Sequence, residues 1–352
     1  CSPRKSMLDD VKRIASIDRK DMLGSVEGMP EHLSEGVRRG RKAGPPRSAP
    51  DTVVVCGMGG SAIGGDALKA WLSTEGDVRC EVARGYALPR HVGRQSLVVV
   101  SSYSGNTEEA LSMLEDARAR TSKVVTVSSG GRLAEVSESL SLPHVGVPAG
   151  MVPRASFGYM FGALLGVVER AGVAMPGKQL EEASRVLSQM NGTCSRGIAT
   201  QDNPAKRMAH ELHGTVPVVI GHGMSAPLAK RWANQMNENA KSVAFSSELP
   251  EMDHNEIVSW AADPRSQGFS AVFLDHDFSD RRMGPRLEAT REMVCRRSRA
   301  HVVKASGTSP LAQIMSLVVL GDYVSVYSAV LRGEDPSATA PIEELKRILS
   351  KK

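Results

Sequence analysis

The chain has 352 residues, of which 41% are hydrophobic and 24% charged, proportions of a globular protein long enough for two domains. Its five cysteines lack the spacing of zinc ligands, and their odd number argues against a disulfide framework. No secretory pattern opens the chain, because residues 1–20 are charged, so we expect a cytoplasmic protein. The net charge of +5 is compatible with an anionic substrate.

The N-terminal part combines an amphipathic pattern with a basic segment. Apolar residues recur at helical spacing from Met7 to Ile17, which predicts a helix. Arg38, Arg39, Arg41, Lys42 and Arg47 follow in a stretch rich in Pro and Gly. Short basic runs of this kind are mostly solvated linkers, so we expect a linker and no nucleic-acid partner.

Strands and helices alternate from residue 53 onward. Apolar runs at 53–55, 97–100 and 124–127 predict buried strands, with helical patterns at 62–72 and 107–117. The turn Gly-Met-Gly-Gly-Ser-Ala at 57–62 recurs as Gly-His-Gly-Met-Ser-Ala at 221–226, each time after a strand-like run. This repeat predicts an α/β fold of two doubly wound parallel-sheet subdomains related by duplication.

Five segments follow from this pattern. We expect an N-terminal helix and basic linker at 1–50, a first subdomain at 51–150, connecting helices at 151–213, a second subdomain at 214–308 and C-terminal helices at 309–352. The run 310–331 is apolar enough to raise the membrane question, but it contains Asp322. An aspartate at the centre of a lipid bilayer costs about 2.5–3.5 kcal/mol, so we expect a buried helix.

The segment 101–109, Ser-Ser-Tyr-Ser-Gly-Asn-Thr-Glu-Glu, lies between a predicted strand and a predicted helix. The hydroxyls of Ser102, Ser104 and Thr107 converge there on a helix N-terminus, which can bind a phosphate dianion without a lysine. A simple N-cap at Thr107 is the alternative, but three hydroxyls around one glycine go beyond a cap.

The glycine-rich turn would bring Gly60 and Ser61 to the same carboxyl edge of the sheet, where open α/β sheets bind ligands. This turn also fits the weak dinucleotide fingerprint, so a nicotinamide dehydrogenase is an alternative. A dehydrogenase has no obvious use for the hydroxyls of the second turn, whereas a monophosphorylated sugar would use both turns.

These two turns and the duplication resemble the sugar isomerase (SIS) domain family. Within it, the segments 237–241, 253–256 and 341–346 resemble those of bifunctional phosphoglucose/phosphomannose isomerases, and the resemblance covers residues 50–350. It implies reversible conversion of glucose 6-phosphate and mannose 6-phosphate with fructose 6-phosphate through a cis-enediolate. It also implies a homodimer with active sites at the subunit interface, and no metal or cofactor.

The implied reaction needs a base, an oxyanion stabiliser and a ring-opening acid/base. Glu238 matches the family's base, although its local pattern indicates an exposed glutamate paired with Lys241 or another neighbour. Arg154 matches the arginine that faces the enediolate. His254 matches the ring-opening histidine, which family members supply from the partner subunit; alone it would be a surface-loop histidine.

The resemblance also assigns two residues near the C-terminus. Lys346 is placed in the active site, whereas its own pattern indicates a solvated helix face. Thr339 stands where single-specificity phosphoglucose isomerases carry a glutamine, and the smaller side chain leaves room for the C2 epimer.

Three alternative functions would each require a sequence feature that we do not find in this chain. A non-catalytic SIS-type sugar-phosphate-binding regulator usually carries a helix-turn-helix, which is not visible before residue 50. An amino-sugar isomerase would need an ammonia source or a glutaminase domain. A cupin-type phosphomannose isomerase would need zinc and a β-rich pattern.

Overall fold

The computed structural model describes residues 6–45, 47 and 49–349, except for the side chain of Lys346. Its strands are β1 Thr52–Cys56, β2 Arg79–Ala83, β3 Ser96–Ser101, β4 Val124–Ser128, β5 His144–Gly146, β6 Val216–His222, β7 Phe245–Leu249, β8 Phe269–Asp275 and β9 Arg299–Lys304. Its α-helices are α1 Val11–Ile17, α2 Met22–Glu27, α3 Met29–Ala43, α4 Gly59–Glu75, α5 Glu108–Arg120, α6 Gly131–Ser139, α7 Phe157–Ala171, α8 Gly177–Cys194, α9 Pro204–Leu212, α10 Ala226–Glu238, α11 Glu256–Ala262, α12 Met283–Cys295, α13 Pro310–Arg332 and α14 Ala340–Leu349.

The strands form two parallel sheets with the same winding order. The first sheet runs β2-β1-β3-β4-β5 and the second runs β7-β6-β8-β9. The repeated glycine-rich turn follows the first strand of each half, β1 and β6. The predicted pair of doubly wound sheets is therefore confirmed, while the boundaries after residues 50, 150, 213 and 308 stay predictions.

The central strands were visible in the sequence because they are apolar throughout. All residues of β1, β3 and β4 are buried, as expected of parallel strands covered by helices on both faces. By contrast, β7 lies at the edge of the second sheet and exposes most of its side chains. Its sequence, Phe-Ser-Ser-Glu-Leu, carries no apolar run that would have predicted a strand.

Helix α13 forms the centre of the core and packs against α8, α9 and α10. By length and composition it could cross a membrane, but 89% of its most apolar window is buried inside the protein. Its buried Asp322 accepts hydrogen bonds from Arg231 at 2.6 Å and from Gln235 at 2.8 Å. The polar residue that argued against a lipid environment is thus paired within the core.

The prediction of a linker at 38–47 was wrong for most of the segment, because α3 extends to Ala43. Leu33 and Val37 on α3 are fully buried. Ion pairs of Arg38 and Arg39 with Glu35, and of Arg41 with Glu169, hold the basic side chains against the surface. The content of Pro and Gly suggested a linker, but in this helix the glycines serve packing.

Helices α3 and α7 meet backbone to backbone through glycines on both. A Cβ on Gly36 would lie 2.5 Å from the carbonyl oxygen of Tyr159, and one on Gly162 would lie 2.4 Å from that of Leu33. Gly40 and Gly166 make equally close approaches. Since α7 begins directly after the short 3₁₀ helix Pro153–Ser156, this contact also fixes where that segment lies.

We expect Gly162→Ala to destabilise the protein by about 1–3 kcal/mol, because the new methyl group meets rigid backbone and forces the helices apart. This loss outweighs the gain of up to about 1 kcal/mol that alanine brings to a helix. Gly192→Ala is the matched control, since Gly192 lies in α8 with nothing within 4 Å of its Cβ position. Urea unfolding of both variants measures the difference, and equal stabilities would contradict the packing role.

Candidate active site

The hydroxyl-rich turn leads from β3 into α5. Ser102 is buried and its Oγ lies 2.8 Å from Oγ1 of Thr107. Thr107 is the N-cap residue of α5, yet its side chain makes no capping hydrogen bond. The N–H groups of the first helical turn are therefore not satisfied by the cap, which leaves a donor-rich, positive helix end. Ser104 is exposed and accepts a hydrogen bond from the backbone N–H of Asn106 at 3.3 Å.

The glycine-rich turn lies against the hydroxyl-rich turn. Ser61 Oγ accepts a hydrogen bond from the backbone N–H of Tyr103 at 3.1 Å, which leaves its own O–H free to donate. A Cβ on Gly57 would lie 2.7 Å from the carbonyl oxygen of Ser101, so only glycine permits this approach. As expected for the carboxyl edge of a parallel sheet, the two turns form one surface.

Arg154 lies beside the glycine-rich turn. A Cβ on Gly60 would be 3.5 Å from the Cα of Arg154. The side chain of Arg154 is almost fully buried, at 4% exposure, and burial lowers the pKa of its guanidinium from the ordinary value. It donates to the side chain of Asn239, to the carbonyl oxygen of Pro336 and, at 3.4 Å, to Oε2 of Glu238.

Glu238 ends α10 and remains accessible, with 35% of its side chain exposed. Its partner is Arg154 from the first half of the chain. Lys241, the partner suggested by the local sequence, donates to the carbonyl oxygens of Asn239 and Asp335. The structure thus joins Gly60, Arg154 and Glu238 in one continuous group.

Three expected site residues are not part of the group formed by Gly60, Arg154 and Glu238: His254, Thr339 and Lys346. His254 is exposed in the 3₁₀ helix Glu251–His254, and no hydrogen bond or ion pair joins it to Glu238 or Arg154 in the described part of the chain. Thr339 precedes α14, and its Oγ1 lies 3.3 Å from Oε1 of Glu343. Lys346 lies on α14, but its side chain is outside the described residues.

Two residues with contacts to the site were not singled out from the sequence. The Tyr103 hydroxyl donates to the carbonyl oxygen of Pro148 and accepts from the N–H of Met151, which ties the loop before Arg154 to the hydroxyl-rich turn. Asn239 holds the guanidinium of Arg154. Tyr103 lies within the segment 101–109 and Asn239 within the segment 237–241, so their places in these two motifs could have pointed to them.

The corresponding edge of the second half has a different character. Ser225, the counterpart of Ser61, donates to the carbonyl oxygen of Leu274 at 2.8 Å and is internally satisfied. The segment that begins at the last residue of β8 is the counterpart of the hydroxyl-rich turn. It carries Asp275, Asp277 and Asp280, followed by Arg281 and Arg282, in place of the hydroxyl cluster.

The N-terminus of α13 is also filled from within the chain. Glu182 of α8 accepts hydrogen bonds from the N–H of Thr308 at 2.6 Å and from the N–H of Ser309 at 3.1 Å. Hydrogen bonding from Ser309 and Thr308 lowers the pKa of Glu182 to about 2. A carboxylate of the chain thus takes the place that an anion would occupy at this helix end.

Comparison with known proteins identifies the family of the chain. Residues 201–349 match the family model of the bacterial phospho-glucose isomerase C-terminal SIS domain. A bifunctional phosphoglucose/phosphomannose isomerase of Caldicellulosiruptor bescii is 35% identical over 335 residues, which cover 94% of this chain and 99% of that protein. A second protein of that description, from Aquifex aeolicus, is 34% identical and covers 85% of this chain and 90% of its own.

A solved structure has a similar fold. The crystal structure of a hypothetical protein from Thermus thermophilus matches 97% of this chain and 92% of its own with a TM-score of 0.75. At 16% sequence identity this similarity concerns the fold alone.

Proposed function

The chain belongs to the family of bifunctional phosphoglucose/phosphomannose isomerases, and from this premise we propose that it interconverts glucose 6-phosphate and mannose 6-phosphate with fructose 6-phosphate. The observation that carries the proposal is the contact of Glu238 with Arg154 beside the glycine-rich turn. A base and a fixed cation then lie next to a surface suited to a phosphate. This arrangement supports an enzyme over a sugar-phosphate-binding regulator, which has no use for a base.

In this mechanism Glu238 takes the proton from C2 of the open-chain aldose. The electrons of that bond form the C1–C2 double bond, and the carbonyl electrons move to O1. The resulting enediolate oxygen faces Arg154, whose charge is already in place and needs no reorganisation. Return of the proton to C1, with transfer of the O2 hydroxyl proton to O1, gives the ketose.

The enediolate also explains how one site could serve two aldoses. Its C2 is planar, so the configuration that distinguishes glucose from mannose is lost in the intermediate. Reprotonation at C2 from either face would give one or the other aldose. Thr339 is proposed to lie near the sugar in the assembled site, where its small side chain would leave space for the C2 epimer. Lys346 is proposed to complete the site.

The test is a coupled assay that starts from fructose 6-phosphate and follows glucose 6-phosphate and mannose 6-phosphate separately. We expect both aldoses to form. Formation of neither by folded protein that binds phosphate would contradict the proposal. Formation of glucose 6-phosphate alone would contradict dual specificity.

The phosphate is proposed to bind between the two turns, held by Gly60, Ser61, Ser102, Ser104 and Thr107. Thr107→Val keeps the shape of the side chain but removes one charge-assisted hydrogen bond, so we expect KM to rise about tenfold. Thr74→Val is the control, because Thr74 lies at the other end of α4 from the glycine-rich turn and its hydroxyl donates to the carbonyl oxygen of Trp71 at 2.7 Å. Steady-state kinetics measures both variants, and an unchanged KM for Thr107→Val would contradict the phosphate site.

We also propose that the enzyme is a homodimer in which His254 of one subunit completes the site of the other. His254 is exposed, and Glu238 is open to solvent beside Arg154. Apolar side chains on α14 support an interface, since Ile342 is 42% and Leu345 55% exposed. In the proposed mechanism His254 transfers the proton that opens the sugar ring.

A cytoplasmic location fits the same proposal. The cysteines of the described residues, Cys56, Cys80, Cys194 and Cys295, are free thiols. A reducing compartment maintains cysteines in this state.

A further inference from the structure

The guanidinium of Arg154 is held by a chain of buried hydrogen bonds that ends on the core helix α13. Its Nε donates to Oδ1 of Asn239, and Nδ2 of Asn239 donates to Oγ of Ser325 at 2.9 Å. The Ser325 hydroxyl in turn donates to the backbone carbonyl of Asp322 at 2.8 Å. Asn239 and Ser325 are both fully buried.

The direction of each bond in this chain is determined. The guanidinium of Arg154 has no acceptor atom and must donate to Asn239. The Ser325 hydroxyl lies against the carbonyl oxygen of Asp322, which can only accept. The amide of Asn239 must then turn its NH₂ group to Ser325 and its oxygen to Arg154. If the Asn239 amide were flipped, its NH₂ group would face the N–H of Arg154. Neither of these two donors would then have an acceptor in this contact.

A second set of contacts holds the backbone of Arg154. Arg231, which is 2% exposed, donates to the carbonyl oxygen of Arg154 at 3.3 Å and to Asp322 at 2.9 and 2.6 Å. Its guanidinium also lies 4.3 Å from the ring centroid of Phe157. Both the main chain and the side chain of Arg154 are therefore fixed relative to α13.

We propose that Ser325 and Asn239 are positioning residues of the isomerase: Ser325 orients the amide of Asn239, and Asn239 aims the guanidinium of Arg154 at the enediolate. This inference rests on the proposed function of Arg154. The negative charge develops only during the reaction, so misplacement of the guanidinium affects turnover more than substrate binding. The phosphate contacts, which lie on the two turns of the first half, are left in place.

The experiment compares Ser325→Ala with Ser328→Ala. Ser328 lies on the same helix and is 5% exposed, and its hydroxyl has no hydrogen-bond partner among the described residues. We expect Ser325→Ala to lower kcat about 10- to 100-fold with KM within about twofold of wild type. Ser328→Ala should keep both values. Binding of inorganic phosphate, followed by thermal shift, should be equal in the two variants and reports an intact first half.

A double-mutant cycle separates positioning from general destabilisation. In an Asn239→Ala background there is no amide to orient, so Ser325→Ala should lower kcat no further. Ser325→Cys retains a weak acceptor at the same place and should recover part of the lost kcat, which supplies a second test if Ser325→Ala is less stable.

The possible results are distinct. Additive effects in the cycle, or an unchanged kcat in Ser325→Ala, would overturn the inference. Equal losses in Ser325→Ala and Ser328→Ala would also overturn it. Wild-type protein that forms neither aldose would instead overturn the proposed function itself.

Discussion

Glu238→Gln is expected to lower kcat by about 10²- to 10⁴-fold, because the amide keeps the size of the side chain but cannot accept a proton from C2. Arg154 retains its hydrogen bonds to Asn239 and Pro336 in this variant, so the site should stay assembled. Binding of 5-phosphoarabinonate, a substrate analogue with a phosphate at one end and a carboxylate at the other, should remain nearly unchanged.

Two measurements define this result. Exchange of the C2 hydrogen of glucose 6-phosphate with deuterated solvent should disappear together with turnover, since both need the same base. Glu115→Gln, an exposed carboxylate on α5, is the matched control and should behave as wild type. Turnover within a few-fold of wild type in Glu238→Gln, or continued exchange, would show that another group is the base.

Subunit complementation is expected to give the second large effect. Glu238→Gln and His254→Ala dimers should each be nearly inactive, but a heterodimer of the two chains has one site with Glu238 from one subunit and His254 from the other. Purified heterodimer, obtained by co-expression with two different tags, should recover about half of the wild-type activity per dimer.

The alternatives give clearly different activities. If His254 served the site of its own chain, each site of the heterodimer would lack one residue and activity would stay near zero. If His254→Ala dimers were fully active, the ring-opening role would be wrong. A chain that sediments as a monomer at assay concentration would contradict the shared site directly.

The sequence predicted those parts of the fold that depend on contiguous residues. The apolar runs of the central strands and the repeated glycine-rich turn each lie within a few positions, and they define the two sheets. Edge strand β7 escaped prediction because its exposed side chains show no apolar run. The helix at 38–43 escaped because its glycines, which suggested a linker, make the close contact with α7.

The candidate site divides in the same way. The hydroxyl-rich turn could be identified from one short segment. The contact of Arg154 with Glu238 joins residues 84 positions apart. It depends on how α7 and α10 are arranged around the core, which no local pattern specifies. The positions of His254, Thr339 and Lys346 relative to Glu238 stay predictions for the same reason, since they depend on the C-terminal segment or on a second subunit.

The carboxyl edge of the second sheet bears on how many phosphate esters each chain binds. Two of its aspartates already hold the neighbouring cations, since Asp277 pairs with Lys304 and Asp280 with Arg282. In addition, Glu182 occupies the end of α13 that could attract a dianion. Each polypeptide should consequently bind a single phosphate ester, and calorimetric titration should saturate at one equivalent per chain. Inorganic phosphate should then compete with substrate at one class of sites, giving simple competitive inhibition. Duplication has provided this protein with two similar frameworks, and in the second one a carboxylate of the chain itself fills the helix end.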